Sequence, residues 1–360
     1  MRHSPRVFVI AEAGVNHNGS LDLAMRLIDV ASEAGADAVK FQSFRASALA
    51  SASAPKAAYQ LSTTSGEESQ FEMLRKLELT PAAHEALAAR AAERKIEFLS
   101  TPFDEESLEF LTDRMKLRTI KVPSGEITNG PLLLAVSRRS PQVVLSTGMS
   151  SLGDVEAALG VLAYGFSACA DAPCSAAFER AYASAAGQQE LRDRVVLLHC
   201  TSEYPAPVDE VNLAAMQTLS DAFGLPVGYS DHTVGIHISI AAAAMGAVLV
   251  EKHFTLDRNM PGPDHRASLE PVELAEMVRC IREVTRARGT GRKVATPSEL
   301  GTRTVARKSL VAASAVSRGE KWSAANLTSK RPAFGLSPMT YWDRLGTQAV
   351  RDFEPDEAVE

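Results

Sequence analysis

Eight short apolar runs recur along the chain, and between them apolar residues fall three and four positions apart. The runs are Val7–Glu12, Ala38–Gln42, Glu97–Thr101, Thr119–Pro123, Gln142–Ser146, Val195–His199, Pro226–Ser230 and Val248–His253. Most are nearly continuous rather than alternating, the pattern of parallel strands covered on both faces. The intervening stretches carry helix signals. Ser20 can cap a helix with Ala24, Leu27, Ile28 and Ala31 on one face, and Gly35 can end it. Thr80-Pro81 sets a cap before a first-turn proline, and Leu274, Met277, Val278 and Ile281 form another inward stripe. Eight strands alternating with helices by about residue 288 predict a (β/α)8 TIM barrel. A doubly wound open sheet fits the alternation too, but the count of eight favours closure.

Three segments interrupt the alternation. The connection 43–79 is long, and its polar tip, Thr63 to Ser69, makes it a lid candidate. The stretch 163–189 is rich in Ala and Ser and reads as a surface insertion with one extra helix. Residues 288–304 hold Arg-Gly-Thr-Gly-Arg-Lys and read as a linker. Beyond it, Ser309–Ala313, Gly319–Trp322 and Lys330–Pro332 read as short strands and turns without helical period. The expected division is a catalytic barrel over 1–288, a linker over 289–304 and a small domain over 305–360.

Composition narrows the function. With 38 Lys and Arg against 44 Asp and Glu, the net charge is −6. Nucleic acids and anionic membranes need a basic face, so neither is expected as a partner, although one small basic pocket is still allowed. Four cysteines without a Cys-x-x-Cys pair suit a reducing compartment. The first apolar run is broken by Glu12 and is too short for a signal peptide, and no run approaches a membrane span. A cytoplasmic enzyme is the expectation.

In a barrel, catalytic groups stand at the carboxyl ends of the strands. Those ends deliver Glu12; Lys40 and Gln42; Thr101; Lys121, Ser124 and Glu126; Ser146; Ser202, Glu203 and Tyr204; Ser230, Asp231 and His232; and Glu251, Lys252 and His253. Core packing does not ask for this, because a buried charge without a partner is costly. His232 and His253 could share a divalent ion with water in the open positions, or serve as hydrogen-bonded structural residues. Lys40 and Lys121, with Thr101, Ser124 and Ser146, suit a phosphate and a carboxylate on one ligand. The lysines could instead only pair with Glu12, Glu126 or Glu251. Asp264 could grip a sugar hydroxyl or cap a turn.

The strings Ile10-Ala-Glu12-Ala-Gly-Val-Asn16-His17-Asn-Gly19, Ser100-Thr-Pro-Phe103, Lys121-Val-Pro-Ser124-Gly-Glu126, Leu145-Ser-Thr-Gly-Met149, Leu198-His-Cys-Thr-Ser-Glu-Tyr-Pro205, Gly228-Tyr-Ser-Asp-His232 and Glu251-Lys-His-Phe-Thr255 stand in order along the chain. Together they resemble the bacterial sialic acid synthase family. Ser309-Leu-Val-Ala312, Gly319-Glu320 and Lys330-Arg-Pro332 resemble its C-terminal antifreeze-like (SAF, β-clip) domain.

The resemblance implies condensation of phosphoenolpyruvate with the aldehyde of an N-acetylmannosamine-type sugar and water. The sugar would be N-acetylmannosamine or 2,4-diacetamido-2,4,6-trideoxymannose. The products would be N-acetylneuraminate or a legionaminate-type 2-keto acid, plus phosphate. Lys40, Thr101, Lys121, Ser124 and Ser146 would hold phosphoenolpyruvate with Ser230 close by. His232 and His253 would bind Mn²⁺ or Mg²⁺. Glu12, Gln42, Ser202, Tyr204 and Asp264 would face the sugar, and Glu126 would position water or move protons. The second domain would reach across a domain-swapped homodimer, with Arg331 closing the partner's site. Two positions depart from the family pattern. Ser202 stands where well-known members have Asn, and Arg307 where the second domain contributes an aromatic. Glu203 and Ala54-Pro-Lys-Ala57 look more like the branch that includes legionaminic acid synthases. A Schiff-base aldolase or lyase acting through Lys121 is the alternative chemistry. A non-catalytic, ice-interacting role rests on the tail alone and does not explain the furnished strand ends.

Overall fold

The computed structural model describes residues 6–61, 68–167 and 172–360. The chain divides into two compact units, Met1–Gly289 and Thr290–Glu360.

The first unit is built on eight parallel strands: β1 (Phe8–Gly14), β2 (Ala38–Ser43), β3 (Glu97–Pro102), β4 (Thr119–Val122), β5 (Gln142–Ser146), β6 (Val195–Cys200), β7 (Val227–Asp231) and β8 (Leu249–His253). Their hydrogen-bonded order is β3-β2-β1-β8-β7-β6-β5-β4, and β3 and β4 lie against each other where that order ends. Every neighbour in space is therefore a neighbour in sequence, apart from β1 and β8, which meet across the join. A doubly wound sheet reverses direction partway, so this order means a nearly closed barrel. The helices read from the sequence cover its outside. Ser20 accepts from the Leu23 amide at 3.3 Å to open Leu21–Glu33, and Thr80 caps Pro81–Glu93.

The barrel interior explains where the polar groups go. A small inner core is made by Ile10, Ala38, Leu99, Val144, Leu198 and Leu249, with Val196. Two residues further along the same strands stand Glu12, Lys40, Thr101, Ser146, Cys200 and Glu251. Side chains at i and i+2 share a face of a strand, so a polar layer rests directly on the apolar one. On β7 the inward position below Ser230 is Gly228, where a Cβ would overlap the Leu249 carbonyl. Only glycine leaves room for the strand there.

Several segments differ from the sequence reading. The 43–79 connection folds as three short helices, Ala46–Leu49, Ala58–Leu61 and Gln70–Leu77. Most of its polar tip, residues 63–67, lies outside the described residues, as do 168–171 of the insertion. That insertion holds two helices rather than one, Ser175–Ala183 and Ala185–Arg194. Ser184 separates them by ending the first and accepting from the Gly187 amide at 2.9 Å. The expected linker contains a helix, Pro297–Ala306. Thr296, Pro297 and Glu299 form a capping box with a first-turn proline, a start signal masked in sequence by the Gly- and Arg-rich run just before it.

The second unit pairs β9 (Ser309–Ala312) with β10 (Leu327–Lys330) in antiparallel register. Gly319–Trp322 is not a strand; Lys321 makes one isolated bridge to Gln348, while Trp322 turns into a core with Leu310, Val316, Leu327 and Phe353. Lys330 ends β10, and Arg331 and Pro332 follow it rather than forming a strand of their own. No helix among the described residues is long and apolar enough to cross a membrane.

Candidate active site

A cavity of about 470 Å³ opens at the carboxyl ends of the barrel strands. It is lined by Glu12, Lys40, Gln42, Thr101, Lys121, Ser124, Glu126, Ser146, Ser202, Tyr204, Ser230, His232, Glu251, His253 and Asp264. These include every residue expected to bind substrate or metal or to act in the chemistry, apart from Arg331; Glu203, Asp231 and Lys252, which also stand at the strand ends, do not line it. That arginine lies in the second unit, exposed, one residue beyond β10.

The floor is an array of buried charges. Lys40 Nζ lies 2.8 Å from Glu12 Oε2 and 3.5 Å from Glu251 Oε2, and donates to Thr101 Oγ1 at 3.0 Å. Lys121 Nζ is 3.4 Å from Glu251 Oε1, which also accepts from Ser230 Oγ at 2.8 Å. Glu251 thus bridges two lysines. Burial pushes its carboxyl up, but Lys121 and Lys40 outweigh burial and hold it well below the usual carboxylate range. Glu12 behaves oppositely: burial and the nearby Glu251 carboxylate raise it to about 7 against the pull of Lys40. Burial acts to lower Lys40, yet the two carboxylates beside it raise it overall. Lys121, with one close carboxylate, is lowered by burial. The array therefore places two lysines around one firmly ionised carboxylate, with a second carboxyl held above the usual carboxylate range. A buried balance of this sign suits an anionic ligand. Ser146 Oγ, buried at the same level, has no hydrogen-bond partner within the protein and faces this ligand space.

His232 and His253 stand beside this array, with ring centroids 5.7 Å apart and the Tyr204 ring tilted against His232 at a centroid distance of 4.1 Å. Burial lowers His232 to about 4; burial, His232 and Lys40 hold His253 well below its usual value. Both are neutral at pH 7. His232 Nδ1 lies 2.6 Å from the Thr201 carbonyl, which can only accept, so Nδ1 carries the proton. Ser230 gives its own proton to Glu251, so His232 Nε2 keeps its lone pair. His253 Nδ1 is buried without a hydrogen-bond partner, 3.9 Å from Asp264 Oδ2. Burial raises Asp264 to about 6. Among the described residues no three His, Cys, Asp or Glu side chains gather as a metal site. Two neutral, oriented imidazoles nevertheless fit a divalent ion that completes its shell with water and substrate oxygen.

Some strand-end groups do not join the site. Asp231 and Lys252 sit between cavity residues in sequence, but strand alternation turns them to the outer face. There Lys252 Nζ meets Asp231 Oδ2 at 3.0 Å and donates to the Thr233 carbonyl. Other lining groups were not evident from sequence. Cys200 Sγ lies 3.1 Å from Ser124 Oγ, which accepts from the Gly148 amide at 2.9 Å. A Cβ at Gly148 would overlap Ser202 Oγ, so glycine is required for these groups to converge. The connection 43–79 adds an apolar wall, including Leu49, Met73 and Leu74. Its apolar residues are visible in sequence, but their target is not.

A barrel whose strand ends converge on buried lysines, carboxylates and oriented histidines has the build of an enzyme acting on a small anion. The chain belongs to the NeuB family, that of the sialic acid synthases, whose profile matches residues 27–293. It is 50% identical over 354 residues to an N,N'-diacetyllegionaminic acid synthase of Campylobacter jejuni, covering 98% of this chain and 99% of that one. It is 42% identical to the protein of that name from Legionella pneumophila, covering 95% and 90%. Among solved structures, the N-acetylneuraminic acid synthetase of Leptospira borgpetersenii aligns with a TM-score of 0.66 at 32% identity, covering 82% of this chain and 90% of that one.

Proposed function

We propose that the protein is a nonulosonic acid synthase. It condenses phosphoenolpyruvate with the open-chain aldehyde of an N-acetylated mannose-type sugar and water, releasing phosphate and a nine-carbon 2-keto acid. The sugar is 2,4-diacetamido-2,4,6-trideoxymannose rather than N-acetylmannosamine, in line with the name of the Campylobacter relative that matches along both full lengths. The observation that carries the reading is the floor, where Glu251 bridges Lys40 and Lys121 amid the hydroxyls of Thr101, Ser124, Ser146 and Ser230.

Phosphoenolpyruvate places its carboxylate and phosphate on Lys40, Lys121, Thr101, Ser124 and Ser146, beside Ser230. Glu12, Gln42, Ser202, Tyr204 and Asp264 hold the sugar. Carbon 3 of phosphoenolpyruvate attacks the aldehyde carbon, and Glu12, poised near neutrality, gives the new hydroxyl its proton. Water then adds at carbon 2 and yields a proton to Glu126, whose Oε2 accepts from Asn129 at 2.7 Å. The bond from carbon 2 to the phosphate oxygen breaks last. His232 and His253 would hold Mn²⁺ or Mg²⁺, which supplies the Lewis acidity that makes the aldehyde a better electrophile. The second unit is the antifreeze-like domain, and in a homodimer its Arg331 closes the partner's site.

The test is a substrate panel with product masses. Phosphate release should require both phosphoenolpyruvate and the 2,4-diacetamido sugar, and EDTA should stop it. No phosphate release with any N-acetylated mannose sugar would sink the reading. Borohydride trapping of substrate on Lys121, with activity insensitive to EDTA, would replace it with a Schiff-base aldolase.

A further inference from the structure

The two sides of the cavity differ in kind. Besides the charged floor, the lining includes an apolar wall. Leu49, Met73, Leu74 and Leu77 come from the connection between β2 and β3, and Val15 and Phe103 from the ends of β1 and β3. These six pack together in one apolar cluster with Phe44. The polar exceptions in this connection are Gln60, whose Oε1 accepts from the Ala57 amide at 3.0 Å, and Gln70. On the synthase reading the anion takes the lysines and the aldehyde lies by His232 and His253, which leaves the wall for the far end of the sugar. A hydroxyl pressed against Leu49, Met73 and Leu74 loses water and gains no partner. A methyl in the same place gains burial.

We propose that this wall selects a 6-deoxy amino sugar by seating its C6 methyl against Leu49, Met73 and Leu74. The proposal rests on the synthase reading and goes beyond it by assigning the choice of sugar to these side chains. None of them is asked to touch phosphoenolpyruvate or a reacting atom, so their effect belongs in sugar discrimination alone.

The experiment compares 2,4-diacetamido-2,4,6-trideoxymannose with its 6-hydroxy counterpart, which differs by one oxygen, at saturating phosphoenolpyruvate. The wild type should favour the deoxy sugar by about 10- to 100-fold in kcat/KM. Leu74→Gln should cut that ratio by about tenfold through the KM of the deoxy sugar, with the KM of phosphoenolpyruvate unchanged. Leu74→Met, which keeps volume and polarity, should preserve the ratio. Leu49→Gln provides a second reading should Leu74→Gln fail to fold, as judged by thermal melting. A wild-type ratio near one, or a ratio unmoved in a folded glutamine variant, overturns the proposal. Absence of phosphate release with both sugars overturns the synthase reading itself, so the two failures are told apart.

Discussion

Strands β7 and β8 carry two buried charge networks, one on each face, and the two are built to opposite ends. On the outer face, Asp231 and Lys252 are each 0% exposed. Asp231 accepts from the Thr233 amide and hydroxyl at 2.8 Å, from Ser239 and from Lys252. Nothing in that network is left over. On the inner face, Glu251 and Ser230 are just as buried, but the network does not close. Two lysines share one firmly ionised carboxylate, Glu12 is held near neutrality, and the Ser146 hydroxyl and His253 Nδ1 have no hydrogen-bond partner. Burial alone therefore does not mark a functional charge. What distinguishes the inner face is that its open valences border the cavity, where a ligand can complete them.

The comparison can be broken from either side. The largest effect is expected on the inner face. Glu12→Gln removes the proposed proton donor while keeping the shape, and kcat should fall by about 10²- to 10⁴-fold with the thermal midpoint unchanged or raised. Retained turnover in phosphate release would show that Glu12 only holds the sugar. On the outer face, Asp231→Asn strands the Lys252 ammonium and should cost about 3–5 kcal/mol in denaturant unfolding. The folded fraction should keep kcat within a few fold. A silenced but fully stable Asp231→Asn protein would erase the distinction between the faces.

The smallest expected effect is a pH dependence of stability. Glu12 has a folded value of about 7 against an ordinary value of 4.5, so the folded state binds the proton more tightly. Its contribution is full below about pH 4.5 and is lost as pH rises through 7. Unfolding free energies should decline as pH rises across this range, and that decline should be absent in Glu12→Gln. An identical slope in the two proteins would mean that Glu12 ionises normally.

Much of the site was legible because strand ends and strand periodicity are both written locally. Glu12, Lys40, Thr101, Ser146 and Glu251 each stand two positions past an inward apolar residue, and that spacing alone stacks them on the inner core. The same rule separates Asp231 and Lys252 from their neighbours, yet in sequence they looked like further site residues. Which parity faces inward is settled only when the strands pair, as in the register of Ser230 with Glu251 and Asp231 with Lys252. The helix at Pro297–Ala306 is also written locally, by Thr296 and Glu299, but it follows a run of Gly, Arg and Lys that reads as a linker. The apolar wall was not legible. Met73 and Leu74 show that a helix there buries a face, but not that the face borders a cavity.

The sequence by itself determined the strand count, the helices between strands and the set of polar groups at their carboxyl ends, because each depends on short-range periodicity and capping. The tertiary structure decided which charges meet. Glu251 becomes the bridge between Lys40 and Lys121 only when β8, β2 and β4 are wrapped round one axis. Glu12 is held near neutrality only because that closure removes water from it and sets Glu251 nearby. Coulomb interaction and desolvation depend on distance and burial across the barrel, and neither can be read from separation along the chain.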